Sequence, residues 1–204
     1  MVAEKITQCM KPHGEDGVET IKNMNENHQP ISEFAFKCVD VGTNDRILDI
    51  GCGGGVNIEK FLKLTDNNVD GIDYSDVSVK ESAKRNQKAI GDKRCRIIQA
   101  DVSKMPIDDE VYDLVSAFET IYFWPDIENT FKEVLRIIKP GGQFMIAQGT
   151  DGNHPDDEKW LNSVEGMTVY TASELEKYLL NAGFGSVESF KKENDYILVV
   201  IAKK

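Results

Sequence analysis

The sequence contains no run of the roughly 18 consecutive apolar residues that a membrane-spanning helix needs. Its four cysteines show no C-x-x-C spacing, so neither a zinc cluster nor a disulfide scaffold is expected. Basic residues are outnumbered, with 24 Lys and Arg against 35 Asp and Glu, and the formal net charge is -11. Because such a surface repels phosphate backbones, we do not expect nucleic acid as a partner. The amino terminus lacks the apolar stretch of a signal peptide, which predicts a cytoplasmic protein that enters no membrane.

Short apolar runs alternate with helix-period segments between residues 46 and 139, which is typical of βαβ units and a parallel sheet. Five strands are predicted, at residues 46–50, 69–73, 94–100, 112–117 and 143–147. Helices are predicted between them, over 56–64, after a Ser75 cap as far as Gly91, and from an Asp126 cap to Pro140-Gly141-Gly142. At 204 residues, we expect one domain.

The sequence of the carboxy-terminal third predicts a long connecting segment, a helix and a β-hairpin. Residues 149–170 are long for a connection and are predicted to cover a substrate, although their acidic residues could instead serve only to keep the protein soluble. TASE at 171–174 has the spacing of a capping box, and Gly183 is placed to end the helix that follows. Residues 186–190 and 196–202 predict a β-hairpin that closes the sheet with an antiparallel strand.

The first 45 residues do not belong to this alternation. Ser32 is predicted to cap a helix, with Ile31 packing on Phe36 as a hydrophobic staple. Such a helix outside the sheet could cover a ligand site, or it could only pack on the sheet edge or a helix face. Both alternatives remain open at this point.

The strongest chemical signal is ILDIGCGGG at 47–55, which joins a buried strand to a helix through a turn made almost entirely of glycine. Glycines let the main chain turn sharply and approach a ligand closely. Asp73 follows Gly51 by 22 positions, at the end of the second predicted strand, where a carboxylate can bind ribose hydroxyls. Together they predict a nucleoside site. Val56 stands where a dinucleotide fingerprint needs glycine, which disfavours a dinucleotide site. No G-K-[ST] follows the loop, which excludes a P-loop.

These motifs, with GIDYS, QADVSKMP, YDLVSAFETIYFW and LRIIKPGGQFMIA in order across 46–148, resemble those of class I S-adenosylmethionine-dependent methyltransferases. The pattern is similar to the small-molecule branch that contains the ubiquinone and menaquinone biosynthesis methyltransferases. The resemblance implies a Rossmann-like, doubly wound α/β fold. Its seven-stranded sheet would be mostly parallel with an antiparallel terminal strand, forming a core over 46–204 below an N-terminal helical cover over 1–45.

The implied cofactor is S-adenosylmethionine, whose product is S-adenosylhomocysteine. By resemblance, Asp49, Gly51 and Gly53 would surround its methionine portion. Asp73 would hold the ribose hydroxyls. No metal is expected.

The resemblance also assigns the adenine and the reacting methyl group. Tyr74 would lie against the adenine, while Asp101 takes its amino group and the main-chain N–H of Val102 meets a ring nitrogen. Phe118 and Glu119, which follow the fourth strand, would border the sulfonium and the methyl group.

The expected reaction is in-line transfer of the methyl group to a small molecule, which depends mainly on positioning and sometimes on proton removal. Four candidates for a base or an orienting group are Glu119, Tyr122, His28 and His154. His28 lies in a segment, residues 24–36, that resembles helices closing over the cofactor in some of these enzymes. A small acceptor is favoured because no N-P-P-Y-like motif follows strand four.

A second hypothesis stays open: a non-catalytic module that binds the cofactor and acts as a partner subunit or sensor. A nicotinamide-dependent oxidoreductase is disfavoured by Val56. The sequence leaves undecided the acceptor atom, the pathway and the choice between monomer and homodimer.

Overall fold

The computed structural model describes residues 8–204, so the predictions made for the first seven residues lie outside the described residues. Seven strands form one sheet: β1 Ile47–Ile50, β2 Val69–Asp73, β3 Ile97–Gln99, β4 Tyr112–Phe118, β5 Ile138–Gln148, β6 Ser186–Lys191 and β7 Leu198–Lys203. Their order is β3-β2-β1-β4-β5-β7-β6. Pairing from β3 to β5 is parallel, and β7 runs antiparallel to both its neighbours. The predicted seven-stranded Rossmann-like sheet is confirmed.

Helices cover both faces of this sheet: α1 Gly14–Asn27, α2 Gln29–Cys38, α3 Val56–Phe61, α4 Asp76–Arg85, α5 Gln87–Gly91, α6 Ile127–Ile137, α7 Asp157–Ser163 and α8 Ala172–Ala182. The two faces form separate cores, because successive strand residues point to opposite sides. Phe144 and Ile146 enter the core that contains Phe131. Met145 enters the other core, with Phe61. None of the helices within residues 8–204 is long and apolar enough to span a bilayer.

Strand register brings the predicted site residues to one edge of the sheet. Ile50, the last residue of β1, is paired with Ile72 in β2 and with Ala117 in β4. The residues that follow these three positions therefore emerge side by side, at the carboxyl ends of the parallel strands. Open α/β sheets bind ligands at this edge.

The N-terminal region is helical, as the resemblance implied, but its second helix begins earlier than the Ser32 cap predicts. Helix α1 lies within the predicted helical cover over 1–45, and α2 begins at Gln29 with Pro30 in its first turn, where a missing N–H costs nothing. The prediction of Ser32 as cap is therefore wrong, and with it the staple, which requires Ile31 to lie outside the helix. Ser32 is buried, donates its hydroxyl to Asn57 Oδ1 and accepts from the ammonium of Lys60.

Other boundaries differ where tertiary pairing overrides the local signal. Pro140-Gly141-Gly142 lie inside β5 and do not end α6, because Ile138 already pairs with Tyr112. The predicted helix after Ser75 is divided into α4 and α5 at Asn86. Asp126 stands at the N-cap of α6 without a side-chain cap hydrogen bond.

Three local predictions are confirmed. Ser75 caps α4 by accepting from the N–H of Ser78. Thr171 and Glu174 form a capping box at the start of α8. Gly183 ends that helix in the left-handed conformation, with φ 110°.

Candidate cofactor and acceptor site

The glycine loop after β1 has a backbone that only glycine adopts readily. Gly51 has φ 68°, and a Cβ built on it would lie 2.4 Å from Thr120 Oγ1, so both strain and space exclude a side chain. Gly53 has φ 50°, but a Cβ there would meet nothing within 4 Å. The open side of Gly53 borders a cavity and leaves room for a ligand to approach the main chain.

Asp73 connects the end of β2 to this loop. It is buried, and its Oδ2 accepts from the N–H of Gly53 at 3.0 Å while its Oδ1 accepts from the N–H of Ser75 at 2.9 Å. Burial raises the pKa of the carboxyl group, and the hydrogen bonds lower it. A carboxylate has about four acceptor positions, so two such bonds leave capacity for a ligand.

Five of the predicted cofactor residues line one pocket beyond the ends of β2 and β3: Gly51, Asp73, Tyr74, Asp101 and Val102. Hydrogen bonds from the backbone and hydroxyl of Ser103 to Asp101 Oδ1 lower the Asp101 pKa, so this exposed carboxyl is ionised at neutral pH. The opposite wall includes Met10, Phe123 and Pro125, which no motif in the sequence indicates.

The N-terminal segment forms part of that wall. The Tyr74 hydroxyl donates to the carbonyl of Met10 at 2.6 Å, and the Lys11 ammonium lies 4.8 Å from the Tyr74 ring centroid. Ser75 donates to the carbonyl of Pro12 at 2.5 Å. These contacts attach residues 10–12 to the end of β2, which no sequence motif indicates.

A second cavity lies over the glycine loop and is lined by four of the predicted cofactor residues, Gly51, Gly53, Phe118 and Glu119, and by the candidate His28. Its cover comes from α1 and α2, including Met24 and Ser32. Phe118 stacks on Phe36 at 6.0 Å between ring centroids, which fixes the wall of this cavity. The N-terminal helices therefore lie over the loop as well as packing on the core.

Lys60 is the residue of this cavity that sequence reasoning missed. Its ammonium donates to Ser32 Oγ at 2.7 Å and lies 5.8 Å from the Phe36 ring centroid. Partial burial lowers its pKa. Among the described residues around this cavity it is the one Lys or Arg, and its helical spacing alone did not distinguish it from a surface lysine.

Asp49 occupies a different position from the other predicted site residues. It is 2% exposed, accepts from the hydroxyl of Ser116 at 2.7 Å, and lines neither the pocket beyond β2 and β3 nor the cavity over the loop. Burial, together with the nearby charge of Asp73, raises its pKa to about 7, although the Ser116 hydrogen bond opposes the rise. Asp49 therefore lies behind the loop, and its assignment to the methionine portion of the cofactor remains a prediction.

The raised pKa of Asp49 predicts how stability depends on pH. The native state holds this proton up to about pH 7, whereas the unfolded chain releases it near its ordinary pKa of 3.8, so the carboxyl group destabilises the fold progressively as pH rises between these values. Asp49→Asn should remove this loss. We expect the free energy of unfolding of the variant to exceed that of the wild type by an amount that grows by up to ~1.4 kcal/mol for each pH unit in this range and is constant above it. Urea unfolding at several pH values measures it; a gain independent of pH would contradict the charge argument.

All four candidate catalytic residues lie around a third cavity, of about 250 Å³, which we call the acceptor chamber. Its described lining residues are Cys9, Met24, His28, Glu119, Tyr122, Phe123, Gly149, Thr150, His154, Asp157, Trp160, Val164 and Met167. Met24, His28 and Glu119 line both this chamber and the cavity over the glycine loop. The two spaces therefore adjoin at those residues.

Glu119 is the most constrained group at this boundary. Its backbone is left-handed, with φ 56°, and its Oε1 accepts from the Tyr122 hydroxyl at 2.9 Å and from the N–H of Gly149. Its Oε2 lies 3.9 Å from His28 Nε2. Burial raises the pKa of Glu119, and the His28, Tyr122 and Gly149 contacts oppose the rise. The result is a positioned carboxyl group with one oxygen saturated and the other directed to His28.

The segment after β5 supplies the far wall of the chamber, and part of it forms α7. His154 Nδ1 accepts from the N–H of Asp156 at 3.0 Å, so the neutral ring carries its proton on Nε2. Trp160 lines the chamber and is 41% exposed, whereas Tyr170 is buried in the core against Tyr178. Only the first of these two aromatic residues can meet an acceptor.

Comparisons with known proteins agree with this fold. Residues 48–146 match the family model described as a methyltransferase domain. The chain is 28% identical over 148 residues to sterol 24-C-methyltransferase erg6 of Aspergillus fumigatus, covering 68% of this chain and 39% of that protein. It is 30% identical over 145 residues to 27-O-demethylrifamycin SV methyltransferase of Amycolatopsis mediterranei, covering 68% and 53%. A methyltransferase from Haloferax volcanii, solved in complex with the Trm112 methyltransferase activator, superposes with a TM-score of 0.82 at 19% identity, covering 93% of this chain and 94% of that one.

The fold and the region that the family model matches are those of a methyltransferase domain, with a second cavity beside the carboxyl edge of the sheet. The matched domain and the similar proteins confirm the predicted resemblance to class I S-adenosylmethionine-dependent methyltransferases. The chain spans about two fifths to one half of the length of the curated relatives it matches, 39% and 53% of the two named above.

Proposed function

We propose that this chain transfers the methyl group of S-adenosylmethionine to a small-molecule acceptor held in the acceptor chamber. The observation that carries the proposal is that the chamber adjoins the cavity over the glycine loop at Met24, His28 and Glu119. A methyl donor over the loop and an acceptor in the chamber would thus meet at one boundary. Sterol and rifamycin methyltransferases among the relatives support a small acceptor.

The residues present fit the cofactor by their chemistry. Asp73 supplies acceptors for ribose hydroxyls, and the open side of Gly53 admits an amino-acid group against the main chain. Tyr74 and Asp101 would hold the adenine end, and Lys60 would pair with the carboxylate of the methionine portion. We propose that residues 1–204 act as one domain in this function, with the helices before residue 46 as its cover.

The bound cofactor supplies an activated methyl group on a sulfonium leaving group. The protein's own part is to position the acceptor and exclude water. Glu119 is fixed by the Tyr122 hydroxyl and the Gly149 N–H, so it can orient an acceptor without a change of rotamer. His28 and Glu119 are the candidate proton acceptors at the boundary.

Calorimetry and turnover together test the proposal. We expect micromolar binding of S-adenosylhomocysteine and no comparable binding of NAD. Mass spectrometry with S-adenosylmethionine and a panel of phenols, amines, thiols and carboxylic acids should then yield a methylated product. Binding without any product across the panel would favour the non-catalytic module, and binding of NAD alone would refute the cofactor assignment.

Lys60→Met should weaken S-adenosylhomocysteine binding about tenfold, since a hydrogen bond to a charged group contributes ~1.5–3 kcal/mol. The methionine side chain keeps the apolar stem that lies near Phe36. Lys63→Met is the matched control, because Lys63 lies one turn further along, is exposed and pairs only with Glu59 among the described residues. Equal affinity of both variants in calorimetry would remove Lys60 from the site.

A further inference from the structure

The described lining of the acceptor chamber contains more acidic side chains than lysines and arginines. Among its described lining residues, two are carboxylates, Glu119 and Asp157, and none is lysine or arginine. The remaining wall is largely apolar and aromatic, with Tyr122, Phe123 and Trp160. An acceptor that carries a carboxylate or a phosphate would meet no lysine or arginine on these described walls, only the imidazoles of His28 and His154, and would face two acids.

We propose that the acceptor is a small organic amine with an apolar or aromatic body, which binds through its nitrogen to Glu119 and is methylated there. This rests on the proposed function, since it names the acceptor class of that same site. The amine would bind with its nitrogen at the boundary to the cofactor cavity and its body toward Trp160.

The proposal depends on Glu119, because only one of its two carboxyl oxygens is already occupied by hydrogen bonds. Oε1 already accepts from the Tyr122 hydroxyl and the N–H of Gly149. Oε2 has only the His28 imidazole, at 3.9 Å, among the described residues. Such a distance is too long for a hydrogen bond, so Oε2 retains its accepting capacity for a donor that enters the chamber. An ammonium group has such donors and also the complementary charge.

The rest of the wall suits a cation better than an anion. Asp157 Oδ2 accepts from the Thr150 hydroxyl at 2.7 Å and from the N–H of His154 at 2.9 Å, which holds a second carboxylate on the far wall. Trp160 and Tyr122 present aromatic rings, whose faces attract cations. An acceptor between these walls would be stabilised by apolar contacts with its body and by attraction of its positive charge to the carboxylates and the aromatic rings.

The chemical step balances with the groups at the boundary and the methyl donor alone. The ammonium first gives one proton to Glu119 or His28, which leaves a lone pair on nitrogen. That pair forms the N–C bond to the methyl carbon as the C–S bond breaks, and the electrons of the broken bond remain on sulfur as a neutral thioether. The product is a methylated ammonium, which keeps the positive charge and remains complementary to Glu119.

Matched ligand sets test the proposal by binding, without turnover. Benzylamine, phenethylamine and cyclohexylmethylamine are each compared with the alcohol and the carboxylic acid of the same body, by calorimetry on the complex with S-adenosylhomocysteine. We expect an amine to bind at least about tenfold more tightly than its alcohol and acid partners. Glu119→Gln should abolish this preference, because the amide keeps the size and replaces one acceptor oxygen with a donor. Glu158→Gln, on an exposed residue of α7 outside the chamber lining, should leave it unchanged.

The outcomes separate this proposal from the proposed function. Preferred binding or methylation of an alcohol or acid would refute the amine while preserving a methyltransferase. A preference for amines that survives Glu119→Gln would refute the role of Glu119, as would amines that fail to bind a protein that still binds S-adenosylhomocysteine. No binding of S-adenosylhomocysteine would instead refute the proposed function itself. Melting temperatures of the two variants verify that both are folded.

Discussion

Asp73→Asn should weaken the binding of S-adenosylhomocysteine about 100-fold. Charge-assisted hydrogen bonds to ribose hydroxyls contribute ~1.5–3 kcal/mol each, and because the amide can still make a weaker bond to the ribose, we expect a net loss of ~2.7 kcal/mol, which corresponds to a factor of 100 in affinity. The amide keeps one oxygen to accept from the N–H of Gly53 or of Ser75 and loses the other of these two bonds, while it also removes a charge that burial disfavours. Because these two effects oppose each other, we expect at most a moderate fall in melting temperature.

The matched control is Asp76→Asn, three residues further along the same turn. Asp76 is exposed and pairs with Lys80. It lines neither the pocket beyond the ends of β2 and β3 nor the cavity over the glycine loop. Calorimetry on the two variants should show the affinity loss only at Asp73. If Asp73→Asn bound the ligand as well as wild type does, the ribose assignment would fail, whereas a large fall in its melting temperature would indicate a structural role.

Gly53→Ala should reduce cofactor affinity by roughly 10- to 100-fold while leaving the protein folded. A Cβ at this position meets no protein atom within 4 Å, so the methyl group would occupy space that we assign to the ligand. An overpacked contact of this kind costs ~1–3 kcal/mol. The left-handed backbone adds strain of ~1–2 kcal/mol to the fold, which should lower the melting temperature without affecting the site otherwise.

Gly141→Ala controls for that strain. Gly141 also has a left-handed backbone, φ 80°, with open space at its Cβ, but it lies near the start of β5, far from the carboxyl edge. Both variants should lose similar stability in thermal unfolding, and only Gly53→Ala should lose S-adenosylhomocysteine binding. Equal affinities in calorimetry would show that the ligand does not approach Gly53.

Local signals in the sequence predicted much of the fold because they act over a few residues. The alternation of strands and helices, the Ser75 cap, the capping box at Thr171 and the stop at Gly183 all depend on nearby backbone groups. Predictions were wrong where distant pairing competes with such signals. Pro140-Gly141-Gly142 has the composition of a helix stop, yet the pairing of Ile138 with Tyr112 begins β5 before it.

Short segments of the chain were enough to predict the sheet, the glycine turn and the acid one strand away, because strand periodicity and glycine conformations are local properties. Which side chains share a cavity became apparent only from the packing of the helices over the sheet. That packing placed Lys60 beneath α2, set Asp49 behind the loop and brought Glu119, His28 and His154 to one chamber. These residues are up to 126 positions apart in sequence, and no local pattern specifies how such distant segments come together.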